Sequence, residues 1–358
     1  MAFALAMGAG VTAHAQSDSI VNVAFGTKPL EDVITATSSV NVADLMKKSY
    51  ATSSLDGSLE SIVGGYRGGS SLWGQDALVL VDGMPREASD VLASEVESVS
   101  FLKDAAAVAL YGSRGAKGVI LITTKRGANE SMKIDFRGNV GFNVPKSYPN
   151  YLDAASYMTL YNEACRNDGV SERYSQSDIY NSSVSSNPYK YPNQKYYNGN
   201  YLRKFSNVYS ANGEIRGGNE RTHYYLNLGL SYNNGLIKIG DHDKDNDLRL
   251  NVRGNVDMTI TSWLKAFTNA SMLVQDNYTS RGDFWGMASG TWPNRFGVLL
   301  PVDLVDPNNS TLQDMISSAT LIDGRYLLGG TSSNATNAIA DAYEAGYVKT
   351  KTRTFMFD

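Results

Sequence analysis

Residues 248–260 read LRLNVRGNVDMTI. Leu248, Leu250, Val252, Val256, Met258 and Ile260 fall on one parity, and Arg249, Asn251, Arg253, Asn255, Asp257 and Thr259 on the other. That is the period of two that a β-strand imposes on its side chains. The pattern recurs over 132–144, where Met132, Ile134, Phe136, Val140, Phe142 and Val144 alternate with Lys133, Asp135, Arg137, Asn139 and Asn143. It recurs again over 222–233, with Tyr224, Leu226, Leu228, Leu230 and Tyr232 opposed to His223, Tyr225, Asn227, Ser231 and Asn233. Strands of a soluble sandwich average about five or six residues. These run to roughly twelve or thirteen, enough to cross a bilayer at the tilt of a barrel strand, with polar residues toward a watery lumen and apolar residues toward lipid. An Arg is therefore expected to harm at Leu250 and to be tolerated at Asn251.

Turn lengths orient the strands. Gly217-Gly218-Asn219-Glu220 predicts a tight hairpin between 209–215 and 222–232, and Thr261-Ser262 another before 264–274. The intervening connections, about 145–206, 233–247 and 277–345, are long and polar. Outer-membrane barrels keep short turns in the periplasm and long loops outside. Within the first loop, 151–168 has helical spacing, with Asp153 as a cap rather than a ligand. Residues 346–358 read as a descending sixth strand. About six strands leave a membrane sheet with unpaired edges, so a longer protein is expected.

Composition agrees. The 358 residues carry a formal net charge of -4, which supplies no cationic excess for nucleic acid, and a single cysteine, Cys165, which excludes an internal disulfide framework. The 22 Tyr against 11 Phe suit strands at a water–apolar boundary. At the N-terminus a short apolar run ending Ala13-His14-Ala15 resembles a cleaved export signal over 1–15.

Residues 103–127, KDAAAVALYGSRGAKGVILITTKRG, contain a basic Gly-rich loop. A phosphate cradle runs strand, loop, helix, so that helix N-terminal amides face the anion. Here the order is reversed: an Ala-rich helical piece from Asp104 to Tyr111 precedes the loop, and the strand 119–124 follows it. The loop meets a helix C-terminus, which repels phosphate. Gly112 and Gly115 read as helix-stop and turn residues.

The wider stretch closely resembles the plug domain of TonB-dependent outer-membrane transporters, within them the SusC/RagA branch. The matching pieces are Val81-Asp82-Gly83, then 95–99 leading into Leu102-Lys103-Asp104, then 111–116 and 118–125. Upstream, Arg67-Gly68 looks like the family's Arg-Gly element. The resemblance makes Arg67, Gly68, Asp82, Gly83, Lys103, Asp104, Tyr111, Gly112, Arg114, Gly115 and Gly118 the plug motif residues. It makes Asp18, Ser19, Ile20, Val21, Asn22, Val23 and Ala24 the TonB box, a short β-branched segment suited to adding as an edge strand to a partner sheet. A second candidate box is 30–37.

The resulting organisation is a signal peptide (1–15), box and linker (16–39), an α+β plug domain (40–127) and an incomplete antiparallel transmembrane β-barrel (128–358), with about six of the roughly 22 strands of a plugged barrel. The resemblance implies import of an oligosaccharide or peptide across the outer membrane. TonB with ExbB–ExbD would supply energy, and a SusD-like surface lipoprotein would act as lid. No cofactor is expected. The alternative is a secreted carbohydrate-binding β-sandwich, which needs short strands.

No catalytic set appears. Cys165 lacks a nearby His, and no pair of facing carboxylates presents itself. Residues 241–247, DHDKDND, lack the Gly and Glu of a calcium loop and read as a solvated loop tip. Phe284, Trp285 and Trp292 gather in one loop as candidate ligand-stacking aromatics.

Overall fold

The computed structural model describes residues 20–23, 26–29, 36–48, 55, 59–60, 62–104, 108–290, 292–294, 299–305, 307–318, 321, 324–328 and 340–357. The expected export signal, Asp18, Ser19 and Ala24 of the first candidate box, and 30–35 of the second lie outside these residues.

Strands β1 (Ile20–Val23) and β2 (Gly26–Pro29) form an antiparallel pair with Ile20 opposite Pro29. β3 (Thr37–Asn41) is followed by the small pair β4 (Ser71–Leu72) and β5 (Gln75–Asp76). Then come β6 (Leu78–Val81), β7 (Met84–Pro85), β8 (Val96–Leu102) and β9 (Val119–Thr124). Five of them lie side by side in the order β3, β8, β9, β6, β7, with β6 and β9 parallel and the other neighbours antiparallel. The uninterrupted apolar run Val119-Ile120-Leu121-Ile122 follows from burial on both faces. Ile120 and Ile122 pack with Val79, Val81, Val99 and Phe101, whereas Val119 and Leu121 pack with Leu80, Leu102 and Val108. Asp82 and Gly83 both have positive φ (50° and 89°), as a two-residue primed turn between β6 and β7 demands.

The Gly-rich loop is structural, but its local form differs from the expected helix stopped at Gly112. Val108 N donates to Asp104 O at 3.2 Å, and a 3-10 helix then spans Ala109–Gly115, bent at Gly112 (φ 59°). The glycine lies inside the turn because the chain must fold back quickly onto β9.

Beyond the plug, β10 (Lys133–Asn143), β11 (Ser206–Gly218), β12 (Thr222–Asn234), β13 (Asn246–Thr259) and β14 (Lys265–Ser280) follow. A short pair, β15 (Leu299–Pro301) and β16 (Tyr326–Leu328), precedes β17 (Tyr347–Phe357). β10 to β14 and β17 make one antiparallel meander in chain order. Their lengths, from 11 residues in β10 to 16 in β14, suit a tilted membrane crossing. The β11–β12 turn begins two residues later than expected: Gly217 and Gly218 remain in β11, and Asn219 closes the hairpin, its N donating to Thr222 O and its Oδ1 accepting from Thr222 N.

The two parities are physically distinct. Leu226, Leu228 and Leu230 are exposed, as are Ile134, Phe136 and Val140, whereas Tyr225, Asn227, Asn251, Arg253 and Asn255 are buried. No second sheet covers the apolar face among the described residues, which disfavours the sandwich; a continuous exposed apolar band of this kind is a lipid-facing surface. One expectation is corrected. Asn251 is not a tolerant lumen position, because it is 2% exposed and its Nδ2 donates to Asp90 O at 3.2 Å, leaving no room for Arg.

The facing generates a prediction for the full-length protein. Leu228→Arg places a charge in hydrocarbon, costing about 2–4 kcal/mol near the midplane, and should reduce the folded, heat-modifiable species in outer membranes. Asn277→Arg, on the same face as Arg249 through the Asp247–Asn277 and Arg249–Gln275 register, should assemble normally. Equal assembly of both variants would contradict the facing.

Candidate functional site

The buried parity meets the plug. On β13, Arg253 is 1% exposed, its Nε donates to Glu95 Oε2 at 2.9 Å, and its Nη1 lies 3.7 Å from Asp82 Oδ2. Asp82 is fixed in turn by β9, accepting from Thr124 N (2.9 Å) and Thr124 Oγ1 (2.6 Å). Arg249 Nη2 donates to Ser89 O at 2.5 Å, and Asn255 Nδ2 to Lys125 O at 3.0 Å. Burial pushes the Glu95 carboxyl above its ordinary range, against the pull of Arg253 and Arg249. The pair is therefore held where neither charge has water to fall back on.

Two further contacts fix the exit from the plug. Lys125 Nζ pairs with Glu214 Oε2 at 2.7 Å, and Arg126 bonds Asp257 Oδ1 (2.6 Å) and Asn269 Oδ1 (2.9 Å). Gly127 then passes so close to β12 that a Cβ there would lie 2.4 Å from Tyr224 O. Steric fit joins the charges at Gly229, where a Cβ would come within 2.3 Å of Leu92 Cδ1. Leu92 is thus a plug knob seated on a side-chain-free patch of the wall.

All these ties to the barrel come from residues 82–126. The preceding part of the plug is held to the rest of the plug. Lys103 Nζ donates to Ser38 Oγ and Gly64 O, both at 3.0 Å, and lies 6.0 Å from the Trp73 ring centre. Asp104 Oδ2 accepts from Ala36 N at 2.7 Å. Burial holds the Lys103 ammonium below its usual range. Lys103 and Asp104 form a clasp over the first strand of the plug sheet, β3. Of the other motif residues, Arg67 and Arg114 are exposed, Tyr111 packs on the core that contains Val119, and Gly68 (φ 87°) and Gly118 (φ 104°) satisfy backbone turns. The sequence reading missed Leu92, Lys125, Arg126, Glu214 and Gly229 as contact residues; the only linear signal was the Lys-Arg pair closing β9.

The loop expectations divide. Asp153 caps the helix Ala154–Asn167, accepting from Ser156 N at 2.9 Å, and that bond holds its carboxyl below the usual range. Residues 241–247 are a solvated tip only in part: Asp243 and Lys244 are exposed, but the rest of the segment is bonded to neighbouring elements. His242 is 5% exposed and bonds Asp245 through Nδ1, while Asp243 accepts from Arg203 Nη2 (2.6 Å), Asp245 from Ser280 N (2.7 Å) and Asp247 from Gln275 Nε2 (2.7 Å). Protein donors take up these carboxylates, and no acidic or His cluster suited to a metal occurs among the described residues. Phe284 is buried in a small core with Tyr196, Leu202 and Ile237, because the loops need apolar anchors of their own. Trp285 remains 42% exposed and stacks on Tyr197, and Trp292 lies 5.9 Å from Tyr157.

Arg253→Ala leaves Glu95 buried and unpaired, a loss of about 3–5 kcal/mol. The full-length variant should show a lowered plug unfolding transition and faster protease cleavage within 82–126, and Glu95→Leu combined with Arg253→Met should recover most of the loss. No change in the single variant would contradict the role given to the pair.

Comparison with known proteins places this geometry. The family model for the TonB-dependent receptor plug domain matches residues 24–119. TonB-dependent receptor P26 of Formosa agariphila is 26% identical over 73% of this chain and 27% of its own length. TonB-dependent receptor SusC of Bacteroides thetaiotaomicron is 28% identical over 48% of this chain and 17% of its own. The chain thus spans about a quarter or less of the length of the relatives it matches. Among solved structures, the RagAB peptide importer in its open-open state superposes with a TM-score of 0.55 at 21% identity, covering 72% of this chain and 32% of that one, a likeness of fold. With its plug seated on the polar face of six membrane-length strands, the chain carries a TonB-dependent receptor plug domain and is similar, over that plug and the first barrel strands, to SusC-like TonB-dependent receptors.

Proposed function

We propose that the whole receptor imports a glycan fragment or peptide across the outer membrane, with the plug as its gate. The observation that carries this reading is the polar seam between plug and wall. A plug that filled the lumen through an apolar contact would be a permanent core, whereas one bonded through Arg253, Arg249, Asn251 and Asn255 exchanges protein partners for water when it moves.

In this mechanism the N-terminal segment receives force. Ile20–Val23 of the box is a strand with one ladder partner, β2, so its second edge is open among the described residues to a strand from TonB. Traction there, supplied by ExbB–ExbD, would reach Ala36 and β3 first. The Lys103–Asp104 clasp would yield before the 82–126 half, which the barrel holds. Ligand would enter from the side of the long loops, under a SusD-like lipoprotein acting as lid. The chemistry needed is binding and displacement, with no bond made or broken. The domain limits that go with this reading are a signal over 1–15, box and linker over 16–39, plug over 40–127 and barrel from 128.

The test is Val21→Pro in the full-length receptor, which removes a ladder N–H without touching the loops. Energised uptake should be lost while ligand binding at the cell surface is retained. Uptake at the parental rate would contradict this box.

A further inference from the structure

The first long loop, between β10 and β11, holds a cation in an aromatic frame. Asn162, on the helix Ala154–Asn167, is 1% exposed and grips the segment that follows with both ends of its amide. Its Oδ1 accepts from Arg173 N (3.1 Å) and Tyr174 N (3.0 Å), and its Nδ2 donates to Tyr174 O (2.7 Å) and Glu172 Oε2 (3.3 Å). Glu172 is turned back to the helix, where its Oε1 accepts from Arg166 Nη1 at 2.5 Å. Arg173 goes the other way. Its Cζ lies 5.8, 5.9 and 5.8 Å from the ring centres of Tyr161, Tyr174 and Trp292. Tyr157 completes the frame, 6.0 Å from Tyr161 and 5.9 Å from Trp292. Trp292 belongs to the third long loop, which is tied to the first by Gln194 N donating to Pro293 O at 2.9 Å.

The nearest carboxylate in sequence, Glu172, is committed to Arg166. Among the described residues no carboxylate pairs with Arg173. The side chain is exposed, its backbone is fixed by a buried amide, and its position over the rings is preorganised. Its N–H donors form a fork suited to a planar anion. The rings around it are half-buried Tyr and Trp, whose faces suit the C–H face of a pyranose. A peptide terminus would instead call for an apolar side-chain pocket beside the cation. We propose that Arg173, framed by Tyr157, Tyr161, Tyr174 and Trp292, recognises the carboxylate of an acidic sugar residue, a uronate, in the imported glycan. This rests on the import reading above, in which the long loops face outward, and names the substrate class of that entrance.

The test is calorimetric titration of the full-length receptor in detergent with hexagalacturonate, maltohexaose and hexaalanine bearing a free C-terminus. Hexagalacturonate should bind at least tenfold more tightly than maltohexaose, with an affinity that falls as salt rises. Arg173→Ala and Arg173→Gln should each remove that tenfold preference, and Arg173→Lys, which keeps the charge without the fork, should restore part of it. Thermal unfolding of each variant at the parental temperature shows that the loss is one of recognition. Equal binding of the acidic and neutral hexasaccharides, an acidic preference that survives both Arg173→Ala and Arg173→Gln, or Arg173-dependent binding of hexaalanine alone would each overturn the assignment. Energised uptake abolished by Val21→Pro, alongside any of those results, would sink this inference and leave the import reading standing.

Discussion

The structure depends on keeping Arg253 and Glu95 together in a place without water. A guanidinium on a membrane strand is intolerable if it faces lipid, and a carboxylate on a small soluble domain has no reason to be buried. Each is acceptable only because the other is there. The pair forces the polar parity of β13 toward the plug, and the ladder then carries that facing to every neighbouring strand. Register does the rest, since a slip of one residue would put Leu226, Leu228 and Leu230 of β12 inside and Asn227 outside.

The seam also divides the plug. Side-chain and backbone ties to the wall arise from 82–126, and the Leu92 knob on Gly229 adds a steric seat within the same stretch. The first strand of the plug sheet, β3, is held by the plug itself, through Lys103 and Asp104. A molecule built this way has one half fixed by charge and another secured by a few hydrogen bonds, each of modest net worth. Openings of low free energy are expected in the second half.

Much of this was legible in the amino-acid order. Period-two alternation over Leu248–Ile260 located a membrane strand and its two faces, because the ladder leaves side chains no other choice. The reversed order of helix, Gly-rich loop and strand ruled out a phosphate cradle, and the 3-10 bend at Gly112 altered only its local form. What the sequence concealed are pairings between distant residues. Nothing local marks Asn251 as covered by Asp90, or Gly229 as the seat of Leu92, since these positions are brought together only when the plug enters the sheet. The loops misled for a related reason. Asp241 to Asp247 reads as solvated, yet Arg203, Ser280 and Gln275 arrive from elsewhere to take up its carboxylates, and Phe284 is drawn into a core that only the assembled loops create.

The most direct test of the two-faced wall is a spin-label scan of 224–231 in the full-length receptor, reconstituted in bilayers and probed with oxygen and a water-soluble nickel chelate. The account predicts oxygen accessibility alternating with a period of two, high at Leu226, Leu228 and Leu230, with Tyr225 and Asn227 shielded from both probes by the plug. A scan without that alternation, or with the leucines shielded from oxygen, would contradict it.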